Sequence, residues 1–414
     1  MNSILLTGGG FANKGAEALL RTVRDELGKR LAPVRFQTIV PADQATDARK
    51  AGFFPCNSRS RQEFAAYHLG RVPGLKAARV WAAASQTGRH LRRQKECAAV
   101  LDVSGYAYAD RFGTYPMRLT EKLVSDCNTD GAPYVFMPQA WGPFTGSFSR
   151  QAIRHVAERS VLLYARDRTS FESLRGIPNI PPEKLELAPD IVLNFEPREN
   201  RETLEPLERG GLLPGNRRRV GICPNIRIYH ATQREGVGRS NPYVRWLVEL
   251  CRRFLVETDV ELVLFPHEMS LSRWRRDDRY VCRLVGRAVG DDRRIKCFSQ
   301  HCSADTLKLL IRELDFLIGS RFHSIIAALS LHVPTVAVGW SHKYKEVLND
   351  AGVGELAFSY EAMRDAATIT GILETWANRE QVRRRLERSI PLLRRKVDGV
   401  FDRVAEILRR TECC

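Results

Sequence analysis

The stretch SILLTGGGFANKGAEALLRTVRDELGKRL, residues 3–31, decides the fold class. Ser3-Ile4-Leu5-Leu6-Thr7 is a short apolar run, Gly8-Gly9-Gly10 turns the chain, and from Ala16 to Leu31 apolar side chains recur at helical spacing. A buried strand, a glycine turn and a helix in that order open an α/β unit built on a parallel sheet. Working outward, the theme repeats. Further strands are predicted at Val34–Val40, Ala98–Ser104, Tyr134–Met137 and Val161–Ala165, the last ahead of a helix over Thr169–Arg175. From Glu196 to Arg219 the sequence turns polar, with Pro197, Pro206, Pro214 and Gly210-Gly211, and reads as an interdomain connection. The alternation then restarts. Strands are predicted at Arg219–Cys223, Val260–Phe265, Phe316–Ile318 and Thr335–Val338, and helices at Pro242–Val256, Ser303–Ile311 and His323–Leu331. The expected architecture is α/β, with two Rossmann-like doubly wound domains facing across a cleft, residues 1–200 and 215–369. A helical, arginine-rich segment over 370–414 follows.

Composition bounds the function classes. A chain of 414 residues exceeds what one hydrophobic core usually serves, in keeping with two domains. Lys and Arg total 65 against 48 Asp and Glu, a net charge of +17, which suits anionic partners or reflects a general arginine bias. The ten cysteines are scattered without a CxxC pair, so zinc spacing is absent and reduced thiols are expected. The amino-terminal apolar run is too short for a signal peptide and no stretch is long enough to span a bilayer. The expectation is a cytoplasmic protein.

In open α/β sheets ligands sit beyond the carboxyl ends of the strands, against helix N-termini that favour anions, and this selects the loops to inspect. The loop Thr7–Glu17 contains Gly9, Gly10 and Asn13 between a strand and a helix. It lacks both the GxGxxG and the Walker spacing, and reads either as a ligand-binding turn or as a tight turn that binds nothing. Asp102–Phe112 mixes glycine, tyrosines and carboxylates, suited to a sugar or to a buried tyrosine turn. Asp110, further past the strand than Asp102, is the better candidate. Arg166-Asp167-Arg168 offers two guanidinium forks for a phosphate or carboxylate, or an Asp167 helix cap with salt-bridged neighbours.

The sharpest constellation is Gly319-Ser320-Arg321-Phe322-His323 at a strand-to-helix junction. Arg321 suits an anion, and His323 offers a proton near neutral pH. One strand later, Gly339–Glu346 carries Lys343, a second phosphate contact or plain surface charge; Arg227 is a weaker third cation on the same face. Residues 64–95 hold seven Lys and Arg without one acid, interleaved with Leu69, Val72, Leu75, Val80 and Trp81. This stretch suits peripheral contact with an anionic inner-membrane surface, or is simply solvated helix. Nucleic acid is not an expected partner, because the cations lack interleaved aromatics for base stacking.

Taken in order, Asn13-x-Gly15-x-Glu17-Ala18, Pro133–Pro143 with Gln139 and Gly142, Arg166-Asp167-Arg168, Leu187-Ala188-Pro189-Asp190 and Gly319–His323 resemble the polysaccharide pyruvyl transferases over roughly residues 1 to 355. The resemblance implies two Rossmann-like domains similar to GT-B glycosyltransferases. It also implies transfer of the enolpyruvyl unit of phosphoenolpyruvate onto a sugar of a cell-surface polysaccharide or its precursor, leaving a pyruvate ketal and phosphate. It places the family's Arg-x-His pair on Arg321 and His323, with the histidine as general acid, and the family's lysine on Lys343. Gln139, Asn13, Gly9, Gly10, Asp110, Arg166, Arg168 and Arg227 complete the expected substrate contacts. The first 200 residues would serve the glycan acceptor, lipid-linked or free, and residues 215–369 the donor. Where the family usually has Gly-Asp-Glu this chain has Gly15-Ala16-Glu17, and the glycine triplet after the middle strand is reduced to Ser104-Gly105-Tyr106.

The chemistry of the residues agrees with that implication. Phosphoenolpyruvate carries a phosphate and a carboxylate, which arginine and lysine bind, and no metal or other cofactor is demanded. A GT-B glycosyltransferase using a nucleotide sugar, or a non-catalytic anion-binding protein of the same fold, are the alternatives.

Overall fold

A computed structural model describes residues 3–31, 33–56, 97–129, 131–270, 277–290, 292–339 and 343–412. The basic stretch 64–95 and the Trp340–His342 part of the lysine loop lie outside the described residues. The first half runs β1 (Ser3–Thr7), α1 (Lys14–Arg30), β2 (Arg35–Thr38), α2 (Ala45–Lys50), β3 (Phe54–Pro55), β4 (Cys97–Asp102), α3 (Thr114–Thr129), β5 (Tyr134–Gln139), α4 (Ser147–Arg159), β6 (Leu162–Ala165), α5 (Arg168–Arg175) and β7 (Leu185–Leu187). The second runs α6 (Arg201–Arg209), β8 (Arg219–Cys223), α7 (Ile226–Ala231), α8 (Pro242–Glu257), β9 (Glu261–Leu264), α9 (Arg279–Val289), β10 (Ile295–Cys297), α10 (Ala304–Arg312), β11 (Phe316–Gly319), α11 (Phe322–Ser330), β12 (Thr335–Gly339), α12 (Lys343–Asp350) and β13 (Ala357–Ser359). The helices α13 (Ala367–Ala377) and α14 (Arg379–Glu412) close the chain.

Among the described residues all strand pairings in the two sheets are parallel. The first sheet has the order β3-β2-β1-β4-β5-β6-β7 and the second β10-β9-β8-β11-β12-β13. Each therefore begins in its middle, winds outward to one edge, then crosses back and winds to the other, the doubly wound arrangement. The reversal falls between β1 and β4, where Leu5 sits level with Val100, and between β8 and β11, where Cys223 sits level with Gly319. Every residue of β1, β8, β11 and β12 is buried, because helices cover both faces.

Two compact units result, and they differ from uninterrupted ranges in two places. The first comprises Met1–Phe11, Leu19–Ile191 and Lys396–Cys414; the second comprises Ala12–Ala18 and Val192–Arg395. Residues 12–18 belong to the second unit because the Lys14 amide donates to the His267 carbonyl at 3.0 Å, the Met269 amide to the Ala12 carbonyl at 2.8 Å, and Asn13 forms an antiparallel bridge with Glu268. The segment 370–414 is not a separate domain. Its beginning packs in the second unit, where Arg394 pairs with Glu196 at 2.8 Å, and its end in the first, where Arg30 pairs with Asp402 at 2.7 Å.

The expected connection 196–219 contains a helix, α6. Asn200 and Thr203 form a reciprocal capping box, each accepting the other's amide, at 3.1 and 3.0 Å. Its charged exterior hides the buried stripe of Thr203, Pro206 and Leu207. Among the described residues no helix is long and apolar enough to cross a membrane.

Candidate active site

The reversal point of the second sheet is pinned by polar contacts to one residue, Ser320. Its amide donates to the Cys223 carbonyl at 2.9 Å, and its carbonyl accepts from the Asn225 side chain at 2.8 Å and the Tyr344 hydroxyl at 3.1 Å. Its hydroxyl meets that of Tyr243 at 3.0 Å. These bonds fix the loops that follow β8 and β11 and the start of α12. Arg321, next in the chain, is the N-cap residue of α11, and His323 is that helix's second residue.

Arg321 is buried and its guanidinium is taken up by two carboxylates: Glu268 at 2.6 Å and Asp278 at 2.5 Å. Asp278 in turn accepts from the amides of Ile226 at 2.9 Å, Glu268 at 2.8 Å and His267 at 3.2 Å. One ion pair thus holds three segments of the unit together. Burial alone would lower the guanidinium's proton affinity, but the charges of Asp278 and Glu268 raise it. For Asp278 burial wins and pushes its carboxyl up, against the pull of Arg321. In place of the expected open fork for an anion, Arg321 is the internal strut of the site.

Residues 12–18 close one side. Asn13, expected as a substrate contact, caps α1: its side-chain oxygen accepts the Gly15 amide at 3.0 Å. Lys14 is buried and pairs with Glu17 at 3.0 Å, and the other oxygen of Glu17 accepts the Ala304 amide at 3.0 Å, at the N-terminus of α10. Gly15 faces His323 so closely that a Cβ placed on it would lie 2.1 Å from Nδ1. His267 is buried beside them. Burial, then the charges of His323, Arg321 and Lys14, push its imidazole well below the usual range, so it is neutral.

Two further cations border this cluster. The Lys343 ammonium lies 5.1 Å from the centre of the Phe322 ring and 5.6 Å from that of Tyr344. Arg227 is half-exposed, with Nη2 3.7 Å from Glu268. The structure therefore brings Asn13, Arg227, Arg321, His323 and Lys343 together in the second unit. Sequence reasoning missed Lys14, Glu17, His267, Glu268 and Asp278 as members. The cue for Lys14 and Glu17 was present, because both stand at the start of the helix in the first glycine loop.

The remaining expected contacts lie in the first unit, where most have structural duties. A Cβ on Gly9 would strike Leu20 at 2.4 Å, so its glycine serves helix packing, and Gly10 lies against the Gln44 side chain. Asp110 accepts from the Thr145 hydroxyl at 2.6 Å and the Gly146 amide at 3.2 Å. Slight burial would raise its carboxyl, but hydrogen bonds from Ser149, Thr145 and Gly146 prevail and lower it to about 2. Arg166 is buried against Asp190 at 2.8 Å, and Asp167 caps α5 by accepting the Ser170 amide at 2.7 Å. Neither is an open anion clamp; Arg168 alone of that trio is exposed. Gln139, at the end of β5, is 0% exposed, and its side-chain amide has no hydrogen-bond partner among the described residues. Beneath the middle loop, Asp102 accepts from Tyr108 at 2.7 Å and Tyr134 at 3.0 Å, a buried tyrosine turn.

Comparison with known proteins adds the following. The family model described as polysaccharide pyruvyl transferase matches residues 13–342. The amylovoran biosynthesis protein AmsJ of Erwinia amylovora is 23% identical over 136 residues, which is 33% of this chain and 33% of AmsJ. The match thus spans about a third of that relative's length. Among solved structures, UDP-GlcNAc 2-epimerase from Neisseria meningitidis, bound to UDP-GlcNAc, superposes with a TM-score of 0.60 at 12% identity, covering 99% of this chain and 100% of that one. Anabaena Alr3699/HepE in complex with UDP-glucose gives 0.57 at 13% identity, again over 99% and 100%. At such identities the likeness is one of fold, the GT-B type with two parallel-sheet α/β domains.

Proposed function

We propose that this chain, which belongs to the polysaccharide pyruvyl transferase family, transfers the pyruvyl group of phosphoenolpyruvate to a sugar of a cell-surface polysaccharide or its precursor. The observation that carries the reading is the placement of His323 at the reversal point of the second sheet, packed on Gly15, with Lys343 against the ring of its neighbour Phe322 and Arg227 near Glu268. Donor phosphate and carboxylate would be held by Lys343 and Arg227, with Arg321 keeping the loops that carry them in register. His323 gives a proton to the methylene carbon, and C2 becomes electrophilic. A sugar hydroxyl attacks C2 and returns its proton to His323; the C2–O bond to phosphate breaks, phosphate leaves, and a second hydroxyl adds to C2, its proton passing to the departing phosphate, to close the ketal. Water exclusion matters here, since a hydroxide in place of the sugar would yield free pyruvate.

On the acceptor side the proposed contacts are the exposed Arg168 and Gln139, whose enclosed, unpartnered amide would have to be uncovered to meet a sugar hydroxyl. The GT-B likeness also invites a nucleotide-sugar donor, but that rests on fold alone. The test is incubation with phosphoenolpyruvate and candidate glycans, following phosphate release, alongside thermal shift with phosphoenolpyruvate and with a nucleotide sugar. Acceptor-dependent phosphate release that disappears in His323→Ala is expected. Equal release by wild type and His323→Ala overturns the acid role; stabilisation by the nucleotide sugar alone overturns the donor.

A further inference from the structure

We propose that the second unit carries a separate binding site for a phosphorylated small molecule, in a groove of about 830 Å³ along α8. The groove shares no residue with the cluster around His323. Its volume lies within the range of small-molecule sites, roughly 300–1,000 Å³, and its floor is apolar, formed by Val248, Met363 and Ile369.

What distinguishes it is an excess of donors. Trp246 lines it and is 6% exposed, yet its indole N–H has no hydrogen-bond partner among the described residues. Arg245 and Arg239 are exposed on the rim and have no ion pair among the described residues. Arg252 is fixed at the wall by one bond from Nη2 to the Ala288 carbonyl at 3.2 Å, which leaves its other donors available. The acids in the groove do not cancel this. Glu235 is paired with Arg364 at 2.8 Å, and Asp365 accepts the Ala367 amide at 2.9 Å at the start of α13, leaving Glu249. Arg239, Arg245 and Arg252 lining one groove together with apolar Val248, Met363 and Ile369 match a phosphate ester with an apolar body, since each fork can take two phosphate oxygens. Lysines, which would make a diffuse cationic surface, are absent from the lining.

The experiment is calorimetric titration of the full-length protein with inorganic pyrophosphate as the probe. Saturable binding is expected. Arg245→Gln, an exposed position that leaves the fold intact, should weaken it about tenfold. Lys343→Gln, at the other site, should leave it unchanged, and Arg245→Gln should leave phosphoenolpyruvate-dependent transfer unchanged. The proposal is overturned by no binding to wild type at millimolar pyrophosphate. It is equally overturned by the same affinity in wild type and Arg245→Gln, or by loss of binding in Lys343→Gln alone.

Discussion

Gly15 and His323 lie so close that the smallest possible side chain at 15 would sit 2.1 Å from the imidazole Nδ1. The second residue of α1 therefore sets how far the His323 ring can lean toward the start of that helix. Gly15→Ala should push the ring aside and lower the turnover number by about 10²-fold, the order of effect that a 1 Å misplacement has. Alanine is about 1 kcal/mol better than glycine in a helix, so the melting temperature should change little. Steady-state phosphate release and circular dichroism check both halves; an unchanged turnover number sinks the argument.

The Arg321–Asp278 pair is buried on both sides and gathers three backbone amides as well. Removing the charge in Asp278→Asn leaves a buried guanidinium with Glu268 as its remaining carboxylate. A loss of about 3 kcal/mol is expected, at the lower end for breaking a buried pair, measured by urea unfolding. A loss below about 1 kcal/mol would show that the pair does not brace the unit.

Arg166 separates two roles cleanly. As the partner of buried Asp190, it should cost about 3–5 kcal/mol when replaced by alanine, with the KM for phosphoenolpyruvate unchanged in the protein that folds. Unaltered stability together with a tenfold higher KM would instead make Arg166 a ligand contact.

His267 ties stability to pH. Its folded pKa is depressed, so below the unfolded value of about 6.5 the unfolded chain takes up a proton that the folded chain refuses. Stability from this group is complete above that value and falls as pH drops, by up to about 1.4 kcal/mol per pH unit. In His267→Gln the slope of unfolding free energy between about pH 6.5 and 5 should be shallower by up to that amount. Identical slopes in the two proteins would rule out a neutral buried imidazole.

Gln139 buries an amide whose atoms lack partners among the described residues, an arrangement that costs stability. Gln139→Leu should raise stability by about 1–2 kcal/mol and raise the KM for the glycan acceptor. A fall in melting temperature would mean that the amide is satisfied in solution.

The inner strands of both sheets were legible because buried parallel strands are continuous apolar runs, as at Phe316–Gly319 and Thr335–Gly339, whereas the edge strands β3, β7, β10 and β13, two or three residues each and partly exposed, carried no such run and were missed. The Arg321–His323 pair was legible too, since a strand-to-helix junction at a sheet reversal is a place defined by chain order. What Arg321 does there was not. Its partners Glu268 and Asp278 follow β9 and precede α9, and only folding brings them within 3 Å of its guanidinium. The same holds for Arg166 and Asp190, which look like an anion clamp and a distant acid until they meet. Helix α6 was hidden for a different reason: three buried positions among nine leave little periodicity, although Asn200 and Thr203 carried a capping signal.

Residues 12–18 and 396–414 each fold with the unit that does not contain their chain neighbours. During synthesis this imposes an order on the nascent chain. Glu17 leaves the ribosome 287 residues before Ala304, the amide it caps, and Arg30 waits 372 residues for Asp402. The first unit lacks its last piece until the residues after Arg395 have been made, whereas the second has all of its pieces by then, so the first unit completes itself after the second. Exchanging halves between relatives at a single crossover would separate each unit from a piece of itself.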